Sequence, residues 1–354
     1  MHSRRGFARN PERLTTVGSE ELRRAVQVWL ILFVVAGIVL LGALSLGSIP
    51  IPAMDVLQLL LRPGNSSASE VIHHLRLPRA LAAFAAGGLL AVAGALMQVL
   101  LRNPLADPFI LGLSGGSAVG ALGAMLLGLS AAFVDLGAFV GALVSILLVF
   151  AVANRDFARV QASGAVDSSP RLLLTGVVLA AGWSALITLI LTLAPEAQLR
   201  GMLFWLMGDV SGADSYATAL FALLAVLVIV YPVARELNVM LRGEALAQAL
   251  GVPVARVRSI VYFAASLATA LAVTTTGTVG FVGLIVPHAL RIVIGNDQRV
   301  LLPACAISGG TLLLLADTVA RVAIAPQQLP VGVITALVGV PTFMFLLLRN
   351  GRRG

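Results

Sequence analysis

The chain has 354 residues, of which 59% are apolar, and a mean hydropathy of +0.99. Only 11% are charged, against roughly 25% in an ordinary soluble domain, which excludes a mainly soluble protein. The basic residues are 24 arginines with no lysine, and with 16 acids they give a net charge of +8; they sit in short gaps between apolar windows, not in a patch, which argues against nucleic acid as a partner.

A helix needs about 20 apolar residues to cross a bilayer core. Such windows recur at 26–46, 80–101, 108–129, 133–153, 172–194, 212–232, 259–276, 280–294, 300–316 and 331–348. They predict an all-α integral membrane protein of about ten transmembrane helices in one polytopic domain, 26–348, with tails at 1–25 and 349–354. The first window is longer than a signal-peptide core and has no small-residue cleavage site after it, so it is expected to stay as the first helix. Threading from a cytoplasmic start puts both termini in the cytoplasm and 19 of the 24 arginines on the cytoplasmic side, as the positive-inside rule demands. Arg62, Arg76, Arg79, Arg200 and Arg321 fall on the outer side.

The outer segment 49–78 begins Pro-Ile-Pro and has a short apolar stretch, Met54 to Leu61, before the run Gly64-Asn-Ser-Ser-Ala-Ser. It predicts a half-helix at the membrane surface. A second outer half-helix is expected at 195–207, where Glu196 and Arg200 would make a full span costly. The longest polar cytoplasmic gaps are 154–171 and 234–258. In the latter, apolar residues at helical spacing from Ala245 to Leu250, Glu244 in the first turn and Gly251 as a stop predict a short amphipathic helix. A second short piece is predicted at 253–260, so that 234–258 resembles a docking platform.

Much chemistry is absent. Without lysine there is no phosphate-binding loop of the ATPase kind and no Schiff base, so any ATP and magnesium belong on a partner chain. His2, His73, His74 and His288 form no metal-ligand cluster; His73 and His74 read as a solvated pair near the headgroups, and His288 as a histidine satisfied by neighbouring helices. The single cysteine, Cys305, allows no disulfide framework and reads as a buried thiol. A proton- or sodium-coupled carrier should bury acids near mid-membrane, whereas Asp107, Asp135, Glu196, Asp209, Asp214 and Asp317 lie near span ends. Asp135 is the best candidate for a buried carboxylate. A carrier working without ATP is the rival from another class.

Ordered motifs then add to this reading: Arg76-Leu-Pro-Arg79; Gly94-Ala-Leu-Met-Gln98; Arg102-Asn-Pro-Leu-Ala-Asp-Pro108 with Leu111-Gly-Leu-Ser-Gly-Gly116; Trp205-Leu-Met-Gly208; Leu237-Asn238 with Gly243-Glu244 and Leu250-Gly251. They continue with Gly277 through His288 and Arg291, Ala316-Asp317 with Ala320-Arg321, and Leu329-Pro-Val-Gly332 leading to Gly339-Val-Pro-Thr-Phe343. In this order and spacing the sequence strongly resembles the FecCD family, the permeases of type II ABC importers for ferric siderophores, haem and cobalamin.

The resemblance implies a homodimer around a central pathway in the bacterial inner membrane, two ATP-binding-cassette ATPase subunits below and a periplasmic substrate-binding protein above. By matching motif, Arg76, Arg79 and Arg321 would dock acidic residues of the binding protein; the other reading is internal pairing, as of Arg321 with Asp317. Arg242, Gly243, Glu244, Ala247, Leu250 and Gly251 would form the coupling segment for the ATPase. Met97, Gln98, Asn103 and Leu105 would line the pathway or its gate, with a structural turn as the alternative at 103–105. Arg200, Trp205 and Met207 are substrate-cavity candidates. Gln328 and Asp209 depart from the family pattern. Haem, siderophore and cobalamin all stay open as cargo, with a slight lean to haem from the segment 316–332.

Overall fold

The computed structural model describes residues 11–47, 49–62, 64, 66–163, 169–212 and 216–350, without side chains for 11–22, 110–111, 152–163, 169–173, 347, 349 and 350. The described residues form fifteen α-helices and no strand. Seven of the helices are long and apolar enough to cross a membrane. Three shorter apolar helices, Leu113–Leu126, Val282–Ile294 and Val331–Leu346, complete the ten windows that the sequence predicts.

Helix α1 (Pro11–Ser45) is followed by the short outer helix α2 (Ala53–Leu61), and α3 (Ser67–Glu70) widens into a π-helix at Val71–Arg76 before α4 (Leu77–Leu100). The widening has a local cause, since Pro78 has no N–H and its ring crowds the carbonyl four residues back. The chain then runs through α5 (Leu113–Leu126), α6 (Ala131–Ser163), α7 (Ser169–Leu193), the outer half-helix α8 (Glu196–Met207) and α9 (Tyr216–Val230). The short α10 (Ala234–Met240) and α11 (Glu244–Ala249) precede α12 (Val254–Thr276), α13 (Val282–Ile294), α14 (Gln298–Val322) and α15 (Val331–Asn350).

Two boundaries differ from expectation. The piece predicted at 253–260 is not a separate helix: it is the first turns of α12, because no glycine or proline interrupts Val254–Thr276. In the predicted gap 154–171, α6 continues to Ser163 and α7 starts at Ser169; residues 164–168 lie outside the described ones.

Helix α4 is the axis of the bundle, buried on every side from Ala85 to Leu100 and in contact with α9, α12, α13 and α14. Lipid is as apolar as leucine, so such an axis is held by close packing of small residues more than by solvent exclusion. Its sequence is accordingly rich in alanine and glycine. A Cβ on Gly94 would lie 1.8 Å from the Gly283 carbonyl oxygen, so α4 and α13 cross backbone to backbone. The α5–α6 pair uses the same device twice, with Gly116 against Gly141 and Gly120 against Gly137. Helices α1 and α14 run parallel: the Trp29 indole donates to the Val300 carbonyl at one end, and Arg321 donates to the Ala43 carbonyl at the other. Helix α4 runs antiparallel to α14, setting Arg79 beside Asp317. By contrast, α7 is almost entirely uncovered by the rest of the chain.

Candidate functional site

The outer arginines do come together. Arg79 donates from Nε to both oxygens of Asp317 at 3.1 Å and from Nη2 to Oδ1 at 2.8 Å. Arg321, one turn beyond Asp317 on α14, brings Nε within 3.3 Å of its Oδ2. Asp317 itself is 1% exposed, so a single buried carboxylate serves two guanidiniums. Arg79 also donates from Nη1 to Gln328 Oε1 at 2.9 Å.

Arg76 is held differently. It is 7% exposed and donates to the carbonyls of Leu44 (2.6 Å), Ser45 (3.2 Å) and Ile49, capping the C-terminus of α1, where carbonyls lack helical partners and cations are favoured. Gly47 makes room for it, since a Cβ there would stand 2.7 Å from its Nη2. All three arginines edge a cleft of about 400 Å³, shared with Val71, Ser211 and Gln328. Three guanidiniums edge the cleft, and the Asp317 carboxylate pairs with two of them, Arg79 and Arg321, so the cleft is positively charged.

In the segment expected to couple to an ATPase, Gly243 (φ +119°) and Gly251 (φ +80°) take backbone conformations that favour glycine and bracket α11. Glu244 accepts from Arg258 of α12, an ion pair that ties α11 down. Ala247 is fully buried and packs into the main core. The apolar residues that do face outward are Leu246 and Leu250.

Met97 and Gln98 are buried inside the protomer at 1% exposure each. Gln98 is a clamp: its Nε2 donates to the Leu284 carbonyl at 3.3 Å, and its Oε1 accepts from Arg291 Nη1. Asn103 and Leu105 lie past the end of α4 in non-helical backbone, where Asn103 Oδ1 accepts from the Leu105 N–H at 2.9 Å. Leu105 is exposed. Nearby Asp107 caps the 3-10 turn Pro108–Leu111 by accepting from Phe109 N–H at 2.8 Å; enclosure by neighbouring atoms pushes its carboxyl up to about 6.

On α8 the three cavity candidates diverge. Arg200 is exposed, its guanidinium carbon 5.6 Å from the centroid of the Phe204 ring, and it lines a shallow cleft of about 690 Å³ with Asp209, Ser211 and Gln328. Trp205 turns the other way and packs against the α5–α6 pair. Met207 is exposed. His73 is tied to the Leu59 carbonyl of α2 at 3.1 Å. His288 and Cys305 are buried, and among the described residues no three His, Cys, Asp or Glu side chains are placed to hold a metal ion.

A second polar knot lies at the other end of α14. Asp297 caps this helix, accepting from the Arg299 N–H at 3.0 Å, while its Oδ1 accepts from Asn238 Nδ2 at 2.8 Å. Asn238 Oδ1 in turn accepts from the Gln298 N–H at 2.8 Å. Hydrogen bonds from Arg299 and Asn238 hold the Asp297 carboxyl below the usual range.

A profile of the FecCD transport family matches residues 32–349. The chain is 40% identical over 285 residues to the vitamin B12 import system permease protein BtuC of Escherichia coli O127:H6, covering 79% of this chain and 84% of that protein. BtuC of Escherichia coli O139:H28 matches equally. Among solved structures the chain is similar to an inward-facing ABC transporter of metal-chelate type, with a TM-score of 0.79 and 29% identity over 91% of this chain and 99% of the other. PsaBC from Streptococcus pneumoniae shares the fold, with a TM-score of 0.56 at 17% identity over 83% and 95% of the two chains. The match spans the whole bundle from α1 to α15, and with it the chain belongs to the FecCD transport family as a multi-pass permease of an ABC importer.

Proposed function

We propose that this permease imports a corrinoid, a large cobalt chelate, from the periplasm to the cytoplasm by alternating access in the inner membrane. The observation that carries the cargo is the 40% identity to vitamin B12 permeases over 285 residues. ATP hydrolysis resides in two separate ATPase subunits, with magnesium bound there, and two copies of the chain enclose the pathway. The uncovered face of α7 suits contact with lipid or with the second copy. Residues 1–25 and 349–354 form cytoplasmic tails of a single domain, and 234–258 meets the ATPase through Leu246 and Leu250.

The outer cleft receives acidic residues of the binding protein. Arg79 and Arg321 offer the contacting guanidiniums there, and Arg76, already spent on three carbonyls, positions the end of α1. Asn103 and Leu105 form the cytoplasmic constriction. Met97 and Gln98 support it from inside the protomer.

A second reading, haem as cargo, has one observation in its favour. The exposed Arg200 over Phe204 offers a cation that suits a propionate and that an amide-bearing corrinoid does not need. The complex reconstituted in proteoliposomes with its ATPase and binding protein tests both. ATP-dependent accumulation of cobalamin without haem supports the first reading; accumulation of haem alone replaces it with the second; uptake of neither overturns both.

A further inference from the structure

Helix α14 carries a polar knot at each end. At the outer end Asp317 and Arg321 are joined to Arg79 of α4. At the other end the N-terminal cap Asp297 and the first N–H, that of Gln298, are both held by one side chain, Asn238 of α10. The 25 residues between Asp297 and Ala323 form one helix, a rod of about 37 Å at 1.5 Å per residue. Between its ends α14 is buried along α4, where Gly309 lies against Gly87.

Asn238 is well placed for more than local stability. It stands five residues before Gly243, on the short helix that leads directly into α11. Its amide donates with Nδ2 and accepts with Oδ1 toward the same helix terminus, a two-point grip that fixes direction as well as distance. Glu244 to Arg258 on α12 is a further side-chain tie between this platform and the bundle.

We infer that α14 is the strut linking the outer arginine cleft to the cytoplasmic coupling segment, and that Asn238 is the positioning residue that ties the strut to that segment. An incoming carboxylate that competes with Asp317 for Arg79 and Arg321 changes the load on the outer end of α14. The helix, continuous through Pro303, passes that change to Asp297 and Gln298, and Asn238 passes it to α10 and α11. The inference rests on the reading of 242–251 as the ATPase contact.

The test uses the assembled permease–ATPase complex with its binding protein in proteoliposomes. Asn238→Ala breaks both contacts of the grip. Asp297→Asn keeps an oxygen acceptor for Asn238 and for the helix cap while removing the ion pair with Arg299. Three quantities are read: ATPase subunit retained on purification, basal hydrolysis, and substrate imported per ATP. Asn238→Ala should keep its ATPase and hydrolyse within twofold of the parent, yet import at least tenfold less per ATP; Asp297→Asn should stay within twofold on all three. Unchanged import per ATP in Asn238→Ala overturns the inference, as does loss of the ATPase subunit, or an equal defect in Asp297→Asn. Leu250→Asp serves as the separate control: if it retains its ATPase in full, the underlying contact reading fails.

Discussion

Arg79 and Asp317 are 238 positions apart in sequence and meet through three contacts from two guanidinium nitrogens, Nε and Nη2, to the two oxygens of one carboxylate. The pair joins α4 to α14 at the outer end of the bundle, and Arg321 completes it from the next turn of α14. Removing one partner of a buried pair leaves the other charge uncompensated, a loss of about 3–5 kcal/mol. Asp317→Ala should therefore lower the unfolding free energy in detergent by about that amount. Arg79→Met and Arg321→Met together with Asp317→Leu, which removes all three charges, should recover much of it. Equal losses for the single and triple variants would show that the cluster does not act as a unit.

Docking at the cleft separates the three arginines. Arg321→Gln, which leaves the Arg79–Asp317 pair in place, should reduce binding-protein-stimulated uptake at least tenfold, since Arg321 lines the cleft; Arg79→Glu should lose uptake together with stability, because it breaks the buried pair. Arg76→Glu should first destabilise the fold, because a carboxylate cannot donate to the carbonyls of Leu44, Ser45 and Ile49. Thermal unfolding beside binding-protein affinity distinguishes these outcomes; an Arg76→Gln variant of normal stability that has lost affinity would restore Arg76 to the contact surface.

Close helix crossings give a test of packing. Gly94→Ala puts a Cβ 1.8 Å from the Gly283 carbonyl and should cost several kcal/mol or prevent folding. Gly123→Ala, on the same kind of helix but with open space around it, should be neutral or slightly stabilising. Folded yield by size-exclusion chromatography and melting temperature check both.

Much of this architecture is legible in the sequence. The ten apolar windows reappear as helices because solvent preference is local in sequence, and both outer half-helices appear where charge or proline forbids a span. What could not be read is orientation about a helix axis and pairing across the bundle. Ala247 and Leu246 are neighbours in sequence and face opposite ways, which only the packing of α11 decides. Gln98 sits in a matching motif, and its side chain points into α13. Asp317 was visible as an acid near a span end, and its partner one turn away on the same helix was foreseen. The stronger partner on α4 was not, since no local pattern encodes a contact over 238 residues. Asn238 and Asp297 were likewise separate residues, one in a motif and one before a helix, until the fold joined them.

The loop after α4 carries a pH dependence that the fold makes unusual in sign. Enclosure raises the Asp107 carboxyl from 3.8 to about 6, against the lowering effect of the Phe109 N–H. A folded state whose acid has the higher pKa binds more protons than the unfolded chain between those two values, so stability falls as pH rises through that window. Below about pH 4 both states are protonated, and above about pH 6 both are ionised, so the slope is confined between. The expected size is on the order of 1 kcal/mol, since the side chain retains some exposure. Asp107→Asn keeps an oxygen to accept from Phe109 while abolishing the titration. Melting temperatures from pH 4 to pH 7 should decline in the parent relative to Asp107→Asn, and parallel curves for the two proteins would rule out a raised Asp107.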